Sequence, residues 1–288
     1  MTLGNSCFTK ILTLVFLTFF LGCSSENNLN ILKGEAFGTF YEIKYFGNPL
    51  SSKDIKNSIE SKIIFYEECC STYNPESYIS RKQDLSTLID DKDPLNMMAL
   101  RVKVIQDLSE NINTITKGFI IFDNYDHFNA IAKGYAVDDF SKTLDKYKID
   151  NYFINVGGEI KVKGSKLDIP WTLGIEMPDE NSRKIYQKLI INKNLSFATS
   201  GNYRKSGHIK NREGNPVTTN LLSVTVAIEA SDLSTAYADG LATGLFAAEF
   251  PGSWFSIAEE NNIAAFFIFE DNGKFKSSQT SSWLKLLE

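Results

Sequence analysis

The chain has 288 residues, 43% hydrophobic and 23% charged, enough to bury a full core as one domain or two small ones. This balance excludes a disordered chain. The formal net charge of −5, with no basic run and no basic stripe interleaved with aromatics, argues against nucleic-acid binding.

At the N-terminus, Lys10 precedes the apolar run Ile11–Leu21, which is too short for a membrane span and matches a secretory hydrophobic region. The run ends in Phe20-Leu21-Gly22-Cys23-Ser24-Ser25, a small residue before a cysteine that resembles a bacterial lipobox. Residues 1–22 are therefore expected to be a lipoprotein signal peptide and Cys23 the lipidated first residue of the mature protein; an ordinary signal peptide or an uncleaved anchor is the alternative. Each reading exports the domain. The expected location is the bacterial cell envelope, with a lipid anchor at the inner membrane and the domain facing the periplasm or the outside. Cysteine usage agrees with export without reliance on disulfides: Cys7 lies in the leader, and only Cys69-Cys70 belongs to the folded part. That pair reads as helix residues, at least one of them core, in preference to a vicinal disulfide.

Residues 23–32 read as a tether, and a single domain is expected over 33–288. Lys33–Phe46 opens it, its later half alternating like a strand. Ser52–Glu68 has amphipathic helical spacing and leads into the turn-rich segment Ser71-Thr72-Tyr73-Asn74-Pro75-Glu76-Ser77. Leu95–Asn111 is again helical. Asn129–Asp138, NAIAKGYAVD, enters a helix near Lys133. Asn151–Val156 reads as a strand ending in Gly157-Gly158, and Trp171–Glu176 as a strand closed by Met177-Pro178. Leu195–Thr199 leads into Ser200-Gly201-Asn202-Tyr203-Arg204, and Leu222–Glu229 is the most strand-like run of all. A helix over Asp232–Phe250, a short helix around Trp254–Glu260 and a buried strand Ile263–Phe269 complete the chain. Strands and helices mix without regular alternation, so the fold class is α+β, a single domain of mixed, largely antiparallel sheet with packed helices.

Two segments carry chemistry. In Ala132-Lys133-Gly134-Tyr135 small residues let backbone amides approach a ligand, and a helix start favours anionic oxygens, which places Lys133 to meet a phosphate. Asp239 and Thr243 stand four apart in a helix and present hard oxygens on one face, the type that Mg²⁺ takes. Alone, the first is more often ordinary capping and the second a solvated face. Together they point to a metal-assisted site for a phosphate-bearing ligand.

Taken in order, several motifs resemble the ApbE-type FAD:protein FMN transferases: Gly38-Thr39, Ser71–Ser77, Ala130–Asp138, Asn155-Val156-Gly157-Gly158-Glu159-Ile160, Pro170-Trp171 with Gly174-Ile175-Glu176 and Pro178, Ala198–Tyr203, and Ala238-Asp239 with Thr243. The resemblance spans most of the mature chain. It implies an enzyme that splits the FAD pyrophosphate, releases AMP and hands FMN to a threonine or serine hydroxyl of a target protein as a phosphoester. It further implies that Asp239, Thr243 and the Ala130 carbonyl hold Mg²⁺, and that Lys133 and the backbone at Gly157-Gly158 cradle the dinucleotide. Gly38, Thr39, Asp138, Ser200 and Gly201 complete the implied FAD site. Tyr73 is where an aromatic stacks on the flavin, or alternatively a loop tyrosine covering the core. His208, Asp239 and Lys133 are the implied catalytic residues, His208 handling the proton of the acceptor hydroxyl. The implied partner is a flavoprotein subunit of a membrane electron-transfer complex. The chain departs from the pattern in two places. His208–Pro216 has Asn211 and Glu213 where the family has aspartate and threonine, and Thr116–Asp123 holds only an echo of Thr-x-Gly-Ala-Phe-Asp in a shortened segment. A Mg²⁺-dependent FAD pyrophosphatase and a non-catalytic FAD-binding lipoprotein are the competing classes.

Overall fold

A computed structural model of the chain describes residues 28–47, 51–81, 94–116, 126–211, 214–248 and 253–288. The leader, Cys23, the 117–123 part of the shortened segment, and residues 212 and 213 lie outside the described residues. Among the described residues, ten strands and six helices run in the order β1 (Asn28–Ala36), β2 (Thr39–Gly47), α1 (Ser52–Cys70), α2 (Pro94–Thr116), α3 (Ala132–Lys146), β3 (Tyr152–Val156), β4 (Glu159–Lys163), β5 (Trp171–Glu176), β6 (Ile185–Ile191), β7 (Leu195–Ser200), β8 (Leu221–Glu229), α4 (Ser234–Phe246), α5 (Ser253–Glu260), β9 (Ala264–Asp271), β10 (Lys274–Gln279) and α6 (Ser281–Leu287). A 3-10 turn, Asp126–Ala130, precedes α3. Among the described residues no helix is long and apolar enough to cross a membrane.

Eight strands form one sheet in the order β1-β2-β3-β4-β7-β8-β9-β10, and β5 pairs with β6 in a separate hairpin. Every pairing is antiparallel, so the expected α+β class with a largely antiparallel sheet holds. The large sheet is covered on both faces. One buries Ile43, Tyr45, Ile154, Val156 and Val226 against α1 to α5; the other buries Phe46, Ile160, Val162, Phe197 and Ile268 against the β5–β6 hairpin and Trp283 of α6. With both faces covered, β8 is buried at six of nine positions, which explains why apolar residues stand on both of its faces. Helix α4 is buried on nearly every side and correspondingly rich in small and apolar residues, as suits a helix enclosed by protein.

Several boundaries differ from the sequence reading. Strand β1 begins at Asn28, inside the stretch expected to be tether, because Asn28 to Ala36 pair residue for residue with β2. Helix α2 runs on to Thr116, and β10 and α6 add a hairpin strand and a C-terminal helix that the sequence pattern did not reveal. Strand β4, EIKVK, looks half solvated; its Glu159 and Lys161 are nevertheless 1% and 5% exposed, because helices cover the polar face and supply ion partners. Cys69 and Cys70 end α1 fully buried, as a core role requires, and their sulfurs are paired as a vicinal disulfide, the alternative ranked second above.

Candidate active site

The site grows from the crossing of α3 and α4. Gly134, in the first turn of α3, sits against the Thr235 carbonyl at the start of α4, where any β-carbon would collide with that backbone. The contact brings two helix starts together, each with amide groups lacking helical partners. Asp239 of α4 accepts the Gly134 N–H at 3.0 Å. Asp138 of α3 accepts from the Thr235 N–H and hydroxyl and from the Ala236 N–H, at 2.8 to 3.2 Å.

Each position of the Lys133–Asp139 run has a distinct task. Lys133 donates to Glu159 Oε1 at 2.5 Å. Tyr135 packs edge-on against Tyr66 of α1, with centroids 6.0 Å apart. Asp139 pairs with Lys62 at 2.9 Å and accepts the Tyr66 hydroxyl at 3.1 Å, fastening α3 to α1. Asp138, expected to contact FAD, is instead 1% exposed, its carboxylate occupied by the start of α4 and by Lys161 Nζ at 2.7 Å. Burial of a carboxylate requires such partners, and here α4 and β4 supply them.

Lys133, Glu159 and Asp239 form a charged triangle on the helix-covered face of the sheet. Asp239 is 2% exposed. Burial pushes its carboxyl up to about 8, with Glu159 and Asp138 adding to the effect, while Lys133 and the Gly134 amide pull the other way. Burial also works against the Lys133 ammonium, but Glu159 and Asp239 outweigh it and raise its pKa. One turn beyond Asp239, the Thr243 hydroxyl lies 2.8 Å from that of Ser200, so Ser200 orients Thr243. The 3-10 turn ending in Ala130 rests against α4.

This donor set fits a hard divalent cation. A buried carboxylate held above its usual range is short of positive charge, and Thr243 and the Ala130 carbonyl are neutral oxygens of the kind Mg²⁺ accepts beside phosphate and water. Among the described residues no three His, Cys, Asp or Glu side chains converge on a metal position, so a cation would rest on Asp239 and neutral oxygens.

The loops complete the arrangement. Tyr73 is 72% exposed, which rules out the core-covering alternative. Lys205 Nζ lies 4.9 Å above its ring, and Tyr73 and His208 both interact electrostatically with Lys133. Asn129 donates to the Thr72 hydroxyl at 2.8 Å, tying the Tyr73 loop to the 3-10 turn. His208 is exposed, and its Nδ1 lies 2.6 Å from the Lys205 carbonyl. In the neutral ring that contact places the proton on Nδ1 and leaves Nε2 as a free acceptor. Although the residue as a whole is exposed, neighbouring atoms shield the ring from water; that shielding, with Lys205 and Lys133, lowers its pKa, opposed by the Lys205 carbonyl.

Gly38, Thr39, Gly157 and Gly158 line a cleft of about 930 Å³ between the opposite face of the sheet and the β5–β6 hairpin. Gly157 and Gly158 both have positive φ, 62° and 111°, as a two-residue hairpin turn demands. Lys133 and Asp239 lie on the other face, and the two regions meet at this turn, which leads directly into Glu159. Gly201 lets the chain leave β7 past the Leu222 carbonyl. Glu159 is the site residue the sequence reading did not single out; its place directly after the Gly-Gly turn was the available signal.

The family model described as the ApbE family matches residues 124–267, half of the chain. FAD:protein FMN transferases of Vibrio cholerae and Haemophilus influenzae are 29% and 25% identical, over 96% and 92% of this chain and 98% and 94% of theirs. The solved Vibrio cholerae flavin transferase ApbE is 26% identical with a TM-score of 0.68, covering 90% of this chain and 99% of that one. Apo Pseudomonas stutzeri flavinyl transferase ApbE, 24% identical and covering 90% of this chain and 97% of that one, shares the fold with a TM-score of 0.70. From the Lys133–Asp138 run through Gly157-Gly158 to the Asp239 helix, the matched stretch contains the α3–α4 crossing and its charged triangle, and the chain belongs to the ApbE family.

Proposed function

We propose that this chain is an FAD:protein FMN transferase that moves FMN from FAD to a threonine or serine hydroxyl of an exported flavoprotein, with Mg²⁺ bound and AMP released. The observation that carries the reading is the buried Asp239 carboxylate set between the Gly134 amide and the Lys133–Glu159 pair, an acid and an ammonium held together at two helix starts. Such a place suits a pyrophosphate, since a lysine ammonium forms charge-assisted bonds to anionic oxygens and a metal held on Asp239 would add positive charge. Mg²⁺ on Asp239, Thr243 and the Ala130 carbonyl would neutralise charge that moves onto the AMP leaving group.

The chain's own residues hold and orient. Lys133 meets the phosphates and Tyr73 offers an exposed ring for the flavin. His208 takes the hydroxyl proton on Nε2 while Nδ1–H stays on the Lys205 carbonyl. The acceptor oxygen forms a bond to the FMN phosphorus, the bridging P–O bond breaks, and AMP departs with the electron pair. The lipobox-like run supports an anchor at Cys23, which would hold the domain at the envelope membrane beside an acceptor subunit of an electron-transfer complex.

The test is incubation of the purified protein with FAD, Mg²⁺ and an acceptor bearing the target threonine, followed by separation of FMN, AMP and flavin-labelled protein. Labelled acceptor with equimolar AMP is expected. Free FMN and AMP without labelled acceptor would make the protein a pyrophosphatase, and FAD retained intact would make it a binding protein.

A further inference from the structure

Glu159 is 1% exposed at the start of β4, directly after the Gly157-Gly158 turn. Its Oε1 accepts Lys133 Nζ at 2.5 Å, and its Oε2 is buried with no hydrogen-bond partner among the described residues. A half-satisfied buried carboxylate is expensive, and an apolar residue or an amide would be cheaper to bury there. Nor does fastening the elements together account for it. α3 is already tied to β4 and α4 by Lys161–Asp138 and to α1 by Lys62–Asp139. What Glu159 holds is the end of one flexible side chain. The Lys133 side chain keeps 31% of its surface exposed while Glu159 grips its ammonium.

We propose that Glu159 is a positioning residue, which aims the Lys133 ammonium at the phosphate position beside Asp239 before any ligand arrives. A free lysine stem loses rotamer freedom when it is immobilised. Holding it in advance removes that cost from ligand binding. The rigid β4 start and the Gly-Gly turn place the carboxylate, α3 places the lysine, and the remaining two ammonium protons stay available for anionic oxygens. This inference rests on reading the site as one for the FAD phosphates.

A double-mutant cycle on FAD affinity, read by flavin fluorescence with Mg²⁺ present, tests it. Glu159→Gln in the wild-type background is expected to raise the FAD Kd about ten-fold, as loss of a charged hydrogen bond does, and to raise KM while kcat changes less than two-fold. In the Lys133→Ala background the same substitution should change the Kd less than two-fold, because the group it positions is gone. Glu159→Asp, which keeps the charge with a shorter reach, should give an intermediate rise that also vanishes without Lys133, and serves where the glutamine variant folds poorly. An unchanged Kd, or an equal loss in both backgrounds, overturns the proposal while leaving the transferase reading intact. A wild-type protein that binds no FAD overturns both.

Discussion

Asp138 and Asp239 cap each other's helices. Asp239 accepts the Gly134 amide in the first turn of α3, Asp138 accepts the Thr235 and Ala236 amides in the first turn of α4, and each acid lies four residues beyond an amide that the other accepts. Both gain from the partial positive charge at a helix start. They differ in their remaining partners: Asp138 faces Lys161 in the interior, whereas Asp239 faces the site.

The first prediction follows from that difference. Asp138→Asn leaves the Lys161 ammonium buried without a counter-charge and should destabilise the fold by about 3–5 kcal/mol. Replacing both, as Asp138→Asn with Lys161→Met, should recover part of the loss because no uncompensated charge remains. Urea melts of the singles and the double decide it; a double mutant no more stable than Asp138→Asn alone would contradict the ion-pair account.

Asp239 should behave in the opposite way. Its folded pKa of about 8 lies above the ordinary aspartate value of about 4. The folded state therefore holds the proton more tightly than the unfolded chain, and stability from this group is fully present below about pH 4 and lost as pH rises through about 8. In metal-free protein, Asp239→Asn should shrink the fall in Tm between pH 5 and pH 8. The same position should be essential for turnover: Asp239→Ala abolishes FAD cleavage and Thr243→Val weakens it about ten-fold, since hard ligands are lost beside the pyrophosphate. A wild-type rate for Asp239→Ala at saturating Mg²⁺ would remove the metal site.

Tyr73 is exposed and outside the core, so its removal should cost little stability, within about 0.5 kcal/mol. Stacking on a planar heterocycle is worth about 1–3 kcal/mol, so Tyr73→Ala should weaken FAD binding at least five-fold and Tyr73→Phe hardly at all. Thermal melts and fluorescence titrations separate the two effects. A large drop in Tm with unchanged affinity would return Tyr73 to a packing role.

His208 supplies a pH signature. Its pKa is lowered, so the neutral ring persists below the ordinary histidine value of about 6.5, and flavin transfer should fall only at more acidic pH. His208→Ala should lose acceptor labelling while slow release of FMN and AMP to water survives. Undiminished labelling by that variant would exclude His208 from the proton transfer.

The lipobox-like run is tested by metabolic labelling with palmitate. Wild type should incorporate label and partition with membranes, and Cys23→Ser should do neither. Equal labelling of the two proteins would end the lipid-anchor proposal.

Local pattern determined much of this protein by itself. The strand-like run of β8 and the i, i+4 placement of Asp239 and Thr243 are properties of short segments, and so is the Gly157-Gly158 turn, because period and backbone freedom act over a few residues. The same locality limits what a short segment can show. In EIKVK the alternation of charged and apolar residues looks like one wet face, yet Glu159 and Lys161 are buried, because their ion partners Lys133 and Asp138 arrive on α3 from 26 and 23 residues away. Asp138, which the family resemblance implied as an FAD contact, is likewise occupied by distant residues. Its partners, Thr235 and Ala236, lie 97 and 98 residues along the chain. Sequence determined which residues carry charge, but only the crossing of α3 and α4 decided which charges neutralise one another in the interior and which stay directed at a ligand, since a buried charge takes its character from whatever folding places within hydrogen-bond reach.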